Sequence, residues 1–417
     1  MKTIARHRIV CFIVFIGVLS CIEPFEIESR TFEDALVIEG TITNEMKHQE
    51  IKISRTFLLN ENEPAIENNA QVSVVDSQQN TYVFSQNSSG TYISNTPFRA
   101  LNNTTYKLFI STTDGRQYES QNVELTPTSE ITRLYAEFDS LNDNVKVFVD
   151  NDNANNEAQF FRYEYEETYK IIAPKFEPTF NVEIINLDTS EDLEILLTYD
   201  MILVPKTEEQ QGLKICYTTM ESIGIRQTST SDFDDNIVFR FPVRIIDKDD
   251  SVLRERYSIL VKQYVQSLES YTFYKIINEL GGIESLLSEN QPGFVSGNIL
   301  SLNSSTEKVL GFFEAATVSS KRIYFNYTDF NLSRPEYFYD CEYSADPRNQ
   351  NHLRFDYRIT GEVPGTIPER LILFQLLTES NYKYWSVEGD FIYYIVSPEC
   401  GDCTSFSSNI IPDFWED

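Results

Sequence analysis

Tryptophan, histidine and methionine are scarce in this chain of 417 residues, at two, three and four. A histidine-rich metal centre therefore has no residues to build it. A histidine-based triad would rest on His48 or His352, which lie in the polar segments NEMKHQE and RNQNHLRF and read as solvated loop residues. Trp385 and Trp415 alone do not decide for or against the aromatic platforms of a carbohydrate binder. Basic residues are outnumbered, 34 Lys and Arg against 64 Asp and Glu, for a formal net charge of −30. Such a surface repels nucleic acid and other polyanions, so neither is expected as a partner. No P-loop, dinucleotide fingerprint or G-x-S-x-G motif occurs. Beyond residue 20 no apolar run approaches the ~20 residues a membrane-spanning helix needs.

What is present begins at the N-terminus. Lys2, Arg6 and Arg8 precede the apolar run IVCFIVFIGVLS, residues 9–20, the layout of a secretory signal. In place of a small-x-small cleavage site stands Val18-Leu19-Ser20-Cys21, which resembles the lipobox cut by the bacterial lipoprotein signal peptidase. Residues 1–20 then read as a lipoprotein signal peptide and Cys21 as the lipidated first residue. Acyl chains stabilise membrane attachment by about 0.8 kcal/mol per buried methylene, and more than one chain makes a firm tether. Residues 21–34 follow as an acidic tether carrying Glu23, Glu26 and Glu28.

Forty-one per cent hydrophobic residues, with 29 Phe and 24 Tyr, give material for real cores and favour strands. ALVIEGTIT (35–43), IKISRTFL (51–58), QVSVVD (71–76), TYVFS (81–85) and TYKLFIST (105–112) read as short strands, and Asp114-Gly115 marks a hairpin. Their spacing predicts an Ig-like or transthyretin-like β-sandwich over 35–127, closed by Pro127. Residues 128–417 read as a larger β-rich domain. Its one prominent helix lies in SLESYTFYKIINELGG, with Ser267 as N-cap, Gly281-Gly282 as stop, Leu268, Tyr271, Tyr274, Ile277 and Leu280 on the buried face, and Phe273 and Ile276 widening it. The fold class is mainly β.

Four cysteines remain beyond the signal and Cys21: Cys216, Cys341, Cys400 and Cys403. An even number in an exported protein reads as two disulfides, with three pairings open. Cys400-Gly-Asp-Cys403 follows a strand-like run but precedes a polar tail, so structural bridges outweigh a redox site or a zinc centre held by all four thiolates. DNDNANNE (150–157) starts like an EF-hand loop but has Asn155 at the glycine position and Phe161 at the twelfth; SDFDDN and DKDD are looser, and all read as solvated turns. No catalytic residue, metal ligand or cofactor is assigned.

The lipobox and acidic tether, LVIEGTIT, RYSILVKQYVQSLESYTFYKIINELGG, PGFVSGNIL, VLGFFEA, KRIYF and the terminal CGDC and PDFWED together resemble one family, the Bacteroidota lipoproteins grouped as domain of unknown function 4249. The resemblance brings no catalytic residues. It implies a lipid-anchored protein of the outer membrane with a TonB-dependent transporter as partner, and the acidic run Glu23, Glu26 and Glu28 resembles the export signal that sends such lipoproteins to the exterior face. Asp139-Ser140-Leu141 and Asp250-Ser251-Val252 resemble the O-glycosylation site of exported proteins in that phylum, which makes Ser140 and Ser251 candidates. The expected function is an accessory or binding lipoprotein for such a transporter. Two alternatives stand beside it: a surface hydrolase of glycans or peptides with a carboxylate pair, which needs no histidine, and a non-catalytic scaffold or adhesin.

Overall fold

The computed structural model describes residues 35–56, 65–152, 157–185, 200–233, 236–279, 295, 297–343, 351–356 and 369–417. Residues 1–34, where the sequence leads one to expect a signal peptide, a tether and a lipidated Cys21, lie outside them. In chain order the first strands are β1 (Leu36–Thr43), β2 (Glu50–Arg55), β3 (Gln71–Asp76), β4 (Thr81–Gln86), β5 (Tyr92–Ser94), β6 (Thr105–Ser111), β7 (Gln117–Ser120) and β8 (Val123–Glu124). Next come β9 (Glu130–Asp139), β10 (Asn144–Asp152), β11 (Phe160–Ile172), β12 (Phe180–Ile185), β13 (Asp200–Pro205), helix α1 (Glu208–Gln211), β14 (Ile215–Glu221), β15 (Arg226–Ser229), β16 (Phe241–Asp247) and β17 (Tyr257–Gln266). The rest are helix α2 (Leu268–Glu279), β18 (Ile299–Ser301), β19 (Val309–Ala316), β20 (Val318–Phe325), β21 (His352–Asp356), helix α3 (Glu369–Thr378), β22 (Lys383–Glu388), β23 (Ile392–Val396) and helix α4 (Pro398–Gly401). The protein is mainly β, as its sequence leads one to expect.

The first unit is one continuous ten-stranded sheet, ordered β18-β7-β6-β3-β4-β5-β2-β1-β19 with β8 beside β6, curled until it is nearly closed. Strict alternation in β3 and β6 sends Val72, Val74, Leu108 and Ile110 inward. Tyr92, Tyr106 and Tyr118 bury their rings there while their hydroxyls bond Glu67, Leu101 and Glu307. The Asp114-Gly115 hairpin joins β6 to β7, with Gly115 at φ +85°. The unit does not end at Pro127, however. β18 and β19, from residues 299–316, complete it, and β19 runs parallel to β1 with Ile38 opposite Gly311. Two covered faces explain why all eight residues of β19 are buried.

The second unit packs a five-stranded sheet, β14-β11-β17-β20 with β15 also on β11, against the three-stranded sheet β16-β10-β9. Val145, Val147 and Val149 of β10 meet Phe161, Tyr163, Ile259 and Val261 between them. Gln263 lies wholly inside, where Nε2 donates to the Ser129 carbonyl at 3.0 Å and Oε1 accepts from Tyr163 at 3.0 Å and Asn151 at 3.3 Å. A third, small sheet β21-β23-β22 packs with α3 on the C-terminal side.

Helix α2 joins the two larger units. Ser267 caps it as expected, its Oγ accepting from the Ser270 N–H at 3.1 Å. Its buried face is Ser270, Phe273, Tyr274 and Ile277, whereas Leu268 is 57% exposed and Ile276 39%. A constant spacing of three drifts around a helix of 3.6 residues per turn, so only the three-four alternation keeps one face inward. Leu280, Gly281 and Gly282 lie outside the described residues. Phe273 packs on Phe312 of β19 at 5.4 Å between ring centres.

The disulfides pair Cys216 with Cys403 and Cys341 with Cys400, with Cα atoms 5.8 and 5.6 Å apart. The two cysteines of the C-x-x-C thus belong to different bridges. A non-reducing peptide map is expected to recover both linked pairs and no free thiol among the four. Because the first bridge spans 187 residues and the second 59, the double replacement Cys216→Ala/Cys403→Ala should cost more in a denaturant titration, roughly 2–5 kcal/mol.

Candidate functional site

Strand β11 carries two sequences in one. Phe161, Tyr163 and Tyr165 point into the sandwich core, so period two sends Arg162, Glu164, Glu166 and Lys170 to the opposite face. That outer face passes beneath three other parts of the chain. At one end lie helix α2 and the outside of the curled sheet. At the other lies the C-terminal tail. The middle is an open cleft of about 410 Å³, within the ~300–1,000 Å³ usual for small-molecule sites.

Arg162 forms the closed end. It is 8% exposed, and its guanidinium lies between the rings of Tyr264 and Tyr274, at 4.6 and 5.0 Å from their centres. Nη2 donates to Glu314 at 2.9 Å and Nη1 to Glu164. Glu314, itself 4% exposed, also accepts from Thr41 at 3.0 Å and from the Ser270 hydroxyl. Burial opposes the charge on Arg162, but the Glu314 and Glu164 carboxylates outweigh it and hold the guanidinium above its ordinary pKa. One donor remains: Nε of Arg162 is buried without an acceptor among the described residues. A second opening of about 490 Å³ lies beside Glu314, Gln266 and Phe312 at the junction of the units.

The floor and wall of the cleft are charged in cross-strand pairs. Glu164 of β11 stands opposite Lys262 of β17, and Glu39 of β1 opposite Lys52 of β2. Glu166 is held by Arg322 at 2.7 Å. Glu39 keeps contact with water yet is crowded by protein; lost hydration raises its carboxyl pKa, against the lowering effect of Lys52 and Arg162. Glu221 and Ile223, at and beyond the end of β14, complete the rim, and Ile223 is 80% exposed.

The tail closes the far end of the same face. Tyr217 N–H donates to the Ser408 carbonyl at 2.7 Å, Tyr324 donates to the Phe414 carbonyl, and Lys170 pairs with Asp417 at 2.7 Å. Arg322 stacks on Phe414 at 3.5 Å and Trp415 stands edge-on to Tyr217 at 4.9 Å. Cys403, bridged to Cys216 in β14, roots this strap.

The residues singled out in the sequence are dispersed. Ser140 is exposed in the β9–β10 turn and Ser251 half-buried in a short 3-10 turn. His48 is exposed and bonds the Ser94 carbonyl at 2.6 Å. His352 corrects the loop reading: it opens β21, is 4% exposed, and packs edge-on to Trp385 at 4.9 Å. Polar neighbours in RNQNHLRF disguised a strand start, and burial, with Lys175 nearby, holds the imidazole below its ordinary pKa of 6.5. Asp150 is spent on the Arg240 N–H at 2.8 Å and on Arg133. Asp250 caps the turn at Val252. Among the described residues no group of three or more His, Cys, Asp or Glu could hold a metal, and no helix is long and apolar enough to cross a membrane.

Sequence reasoning missed Glu39, Lys52, Arg162, Lys262 and Glu314. The signal that could have found them is the alternation of aromatic and charged residues in FFRYEYEETYK, together with a lone acid in the apolar run VLGFFEAA.

The family described as Domain of unknown function (DUF4249) matches residues 22–322, so the CGDC and PDFWED motifs fall outside the matched range. A search of curated proteins finds no match. Among solved structures there is similarity to the BSP domain of a biofilm associated protein, with TM-score 0.12, 8% identity, and coverage of 69% of this chain and 58% of that one. A B domain of a biofilm associated protein gives TM-score 0.10 at 8% identity, covering 72% and 88%. The collagen adhesin (CNA) from S. aureus gives 0.09 at 10%, covering 71% and 95%. Likeness this slight carries no argument.

Proposed function

The chain belongs to the family described as Domain of unknown function (DUF4249), and from that premise we propose that it is a lipid-anchored binding lipoprotein of the outer membrane, facing the exterior and serving a TonB-dependent transporter. Cys21 and the acidic tether support the anchor; the family resemblance supports the partner. One observation carries the binding role. The cleft lies between two β units, and the inner charges on its floor are neutralised within the protein, Glu164 by Arg162 and Glu166 by Arg322. These carboxylates hold the site's shape and leave the rim to meet a ligand. A second reading is hydrolysis by a carboxylate pair: Glu39 and Glu164 line the same cleft, and lost hydration first, with the charge of Glu164 a lesser cause, raises the Glu39 carboxyl pKa.

Affinity purification of the tagged chain in mild detergent is expected to recover a TonB-dependent transporter in near-stoichiometric amount. Cys21→Ala should release the protein from the membrane fraction or leave it as an unprocessed precursor. Recovery of the lipoprotein alone, with unchanged uptake after its deletion, would sink the accessory role. Turnover of a glycan or peptide that is lost in Glu39→Gln would put the hydrolase first.

A further inference from the structure

His352 is a titratable group walled in by rings. At the start of β21 it is 4% exposed, and among the described residues neither ring nitrogen makes a hydrogen bond. Three aromatic side chains close around it edge-to-face: Trp385 of β22 at 4.9 Å between centres, Tyr343 at 5.5 Å and Tyr394 of β23 at 5.9 Å. A neutral imidazole is tolerated there at the cost of its unmade hydrogen bonds. An imidazolium would bring a full charge into the same cage with no acceptor for either N–H.

The charges around the cage oppose that proton. The Lys175 ammonium, from the connection after β11, lies over the Trp385 ring at 4.8 Å. Its partner Glu342, at 3.1 Å, is 82% exposed, so water weakens the pull of that carboxylate on the ring. Lys383 stands in the same row of the small sheet but pairs with Asp402 at 3.3 Å, and Arg354 shares the face from two residues further along β21. Burial first, then Lys175, holds the imidazole below its ordinary pKa, against the lesser effects of Glu342 and the Cys341 backbone.

This cage is also where the small sheet meets the second unit. Lys175 touches Trp385 and Glu342 through its side chain, and its N–H donates to the Cys400 carbonyl at 3.0 Å. Cys341–Cys400 and Cys216–Cys403 fasten the same neighbourhood covalently.

We propose that His352 is an acid-sensitive latch: once protonated, its ring leaves the Trp385–Tyr343–Tyr394 cage and the small sheet loosens from Lys175, while the two disulfides keep it attached. The closed ring is shielded from water, so the loosened form takes up the proton. That form titrates at the ordinary value of 6.5 and the closed form only below it. Closure is therefore unaffected well above pH 6.5 and weakens as pH falls through it.

The test is backbone hydrogen exchange of the full chain in detergent at pH 7.5 and 5.5, corrected for intrinsic rates, with the β3 amides as reference. Protection of the β21 and β23 amides is expected to fall several-fold at the lower pH. The limit is about tenfold, set by one proton taken up one pH unit below 6.5. In His352→Phe, which keeps a ring in the cage, protection should not change with pH. Nuclear magnetic resonance of the wild-type histidine rings, which needs no stable variant, should show His352 titrating below 6.5. Unchanged protection of β21 and β23, an equal loss in β3, a full loss retained in His352→Phe, or a ring titrating at or above 6.5 would each overturn the latch.

Discussion

Replacing Gly311 by alanine is expected to cost about 4 kcal/mol or more and to leave little folded protein. Gly311 sits in β19 at φ +140°, a conformation that residues with a β-carbon rarely adopt. A methyl group there would overlap the Ile38 carbonyl oxygen of β1, its parallel partner. Relief requires the two strands to separate, because the obstructing atoms are backbone. From the other side, a β-carbon on Gly297 would strike the Gly311 carbonyl, so three backbone segments meet where no side chain fits. Gly115→Ala is the comparison. Gly115 also has positive φ, +85°, but nothing lies within 4 Å of its missing β-carbon. Strain alone should cost about 1–2 kcal/mol there. Similar denaturation midpoints for the two variants would show that close packing at Gly311 does not govern the joint.

Glu314→Ala should destabilise the protein by about 3–5 kcal/mol, the usual penalty for removing one partner of a buried ion pair. The substitution strips Arg162, Thr41 and Ser270 of a shared acceptor at once. Arg162 would keep Glu164 but lose the carboxylate on its buried side. Glu137→Ala provides the contrast, since Glu137 makes a two-point contact with Arg240, at 3.0 and 2.7 Å, with both side chains more than 40% exposed. Its loss should cost no more than ~1 kcal/mol. The double variant Arg162→Met/Glu314→Leu should recover part of the loss, because it removes both buried charges. A double variant less stable than Glu314→Ala would mean that the Tyr264–Arg162–Tyr274 stack, rather than the ion pair, holds the units together. Either result bears on the cleft, since Arg162 forms its closed end.

Much of this architecture can be read from neighbouring residues. Alternation in QVSVVD and TYKLFIS places their strands, because side chains two apart share a face of a sheet. Asp114-Gly115 gives the hairpin, because glycine tolerates the left-handed turn. Ser267 starts the helix for a reason equally local, a side-chain oxygen within reach of a free N–H. The cysteine count implied two bridges in the same way.

Tertiary structure decided the rest, wherever partners lie far apart in the chain. Nothing local in VLGFFEAA says that it leaves its own half of the sequence to pair with LVIEGTIT, because parallel pairing needs a crossover and carries no turn signature. That pairing carries Glu314 to Arg162, and with them the closed end of the cleft. Disulfide partners were likewise fixed only when β14 and the tail met, since spacing leaves three pairings equal. The charges of Glu39, Lys52, Glu164 and Lys262 look like ordinary solvated positions in an acidic sequence. They form a site because two sheets face each other across α2, and charges acquire specific partners only when folding has fixed their distances.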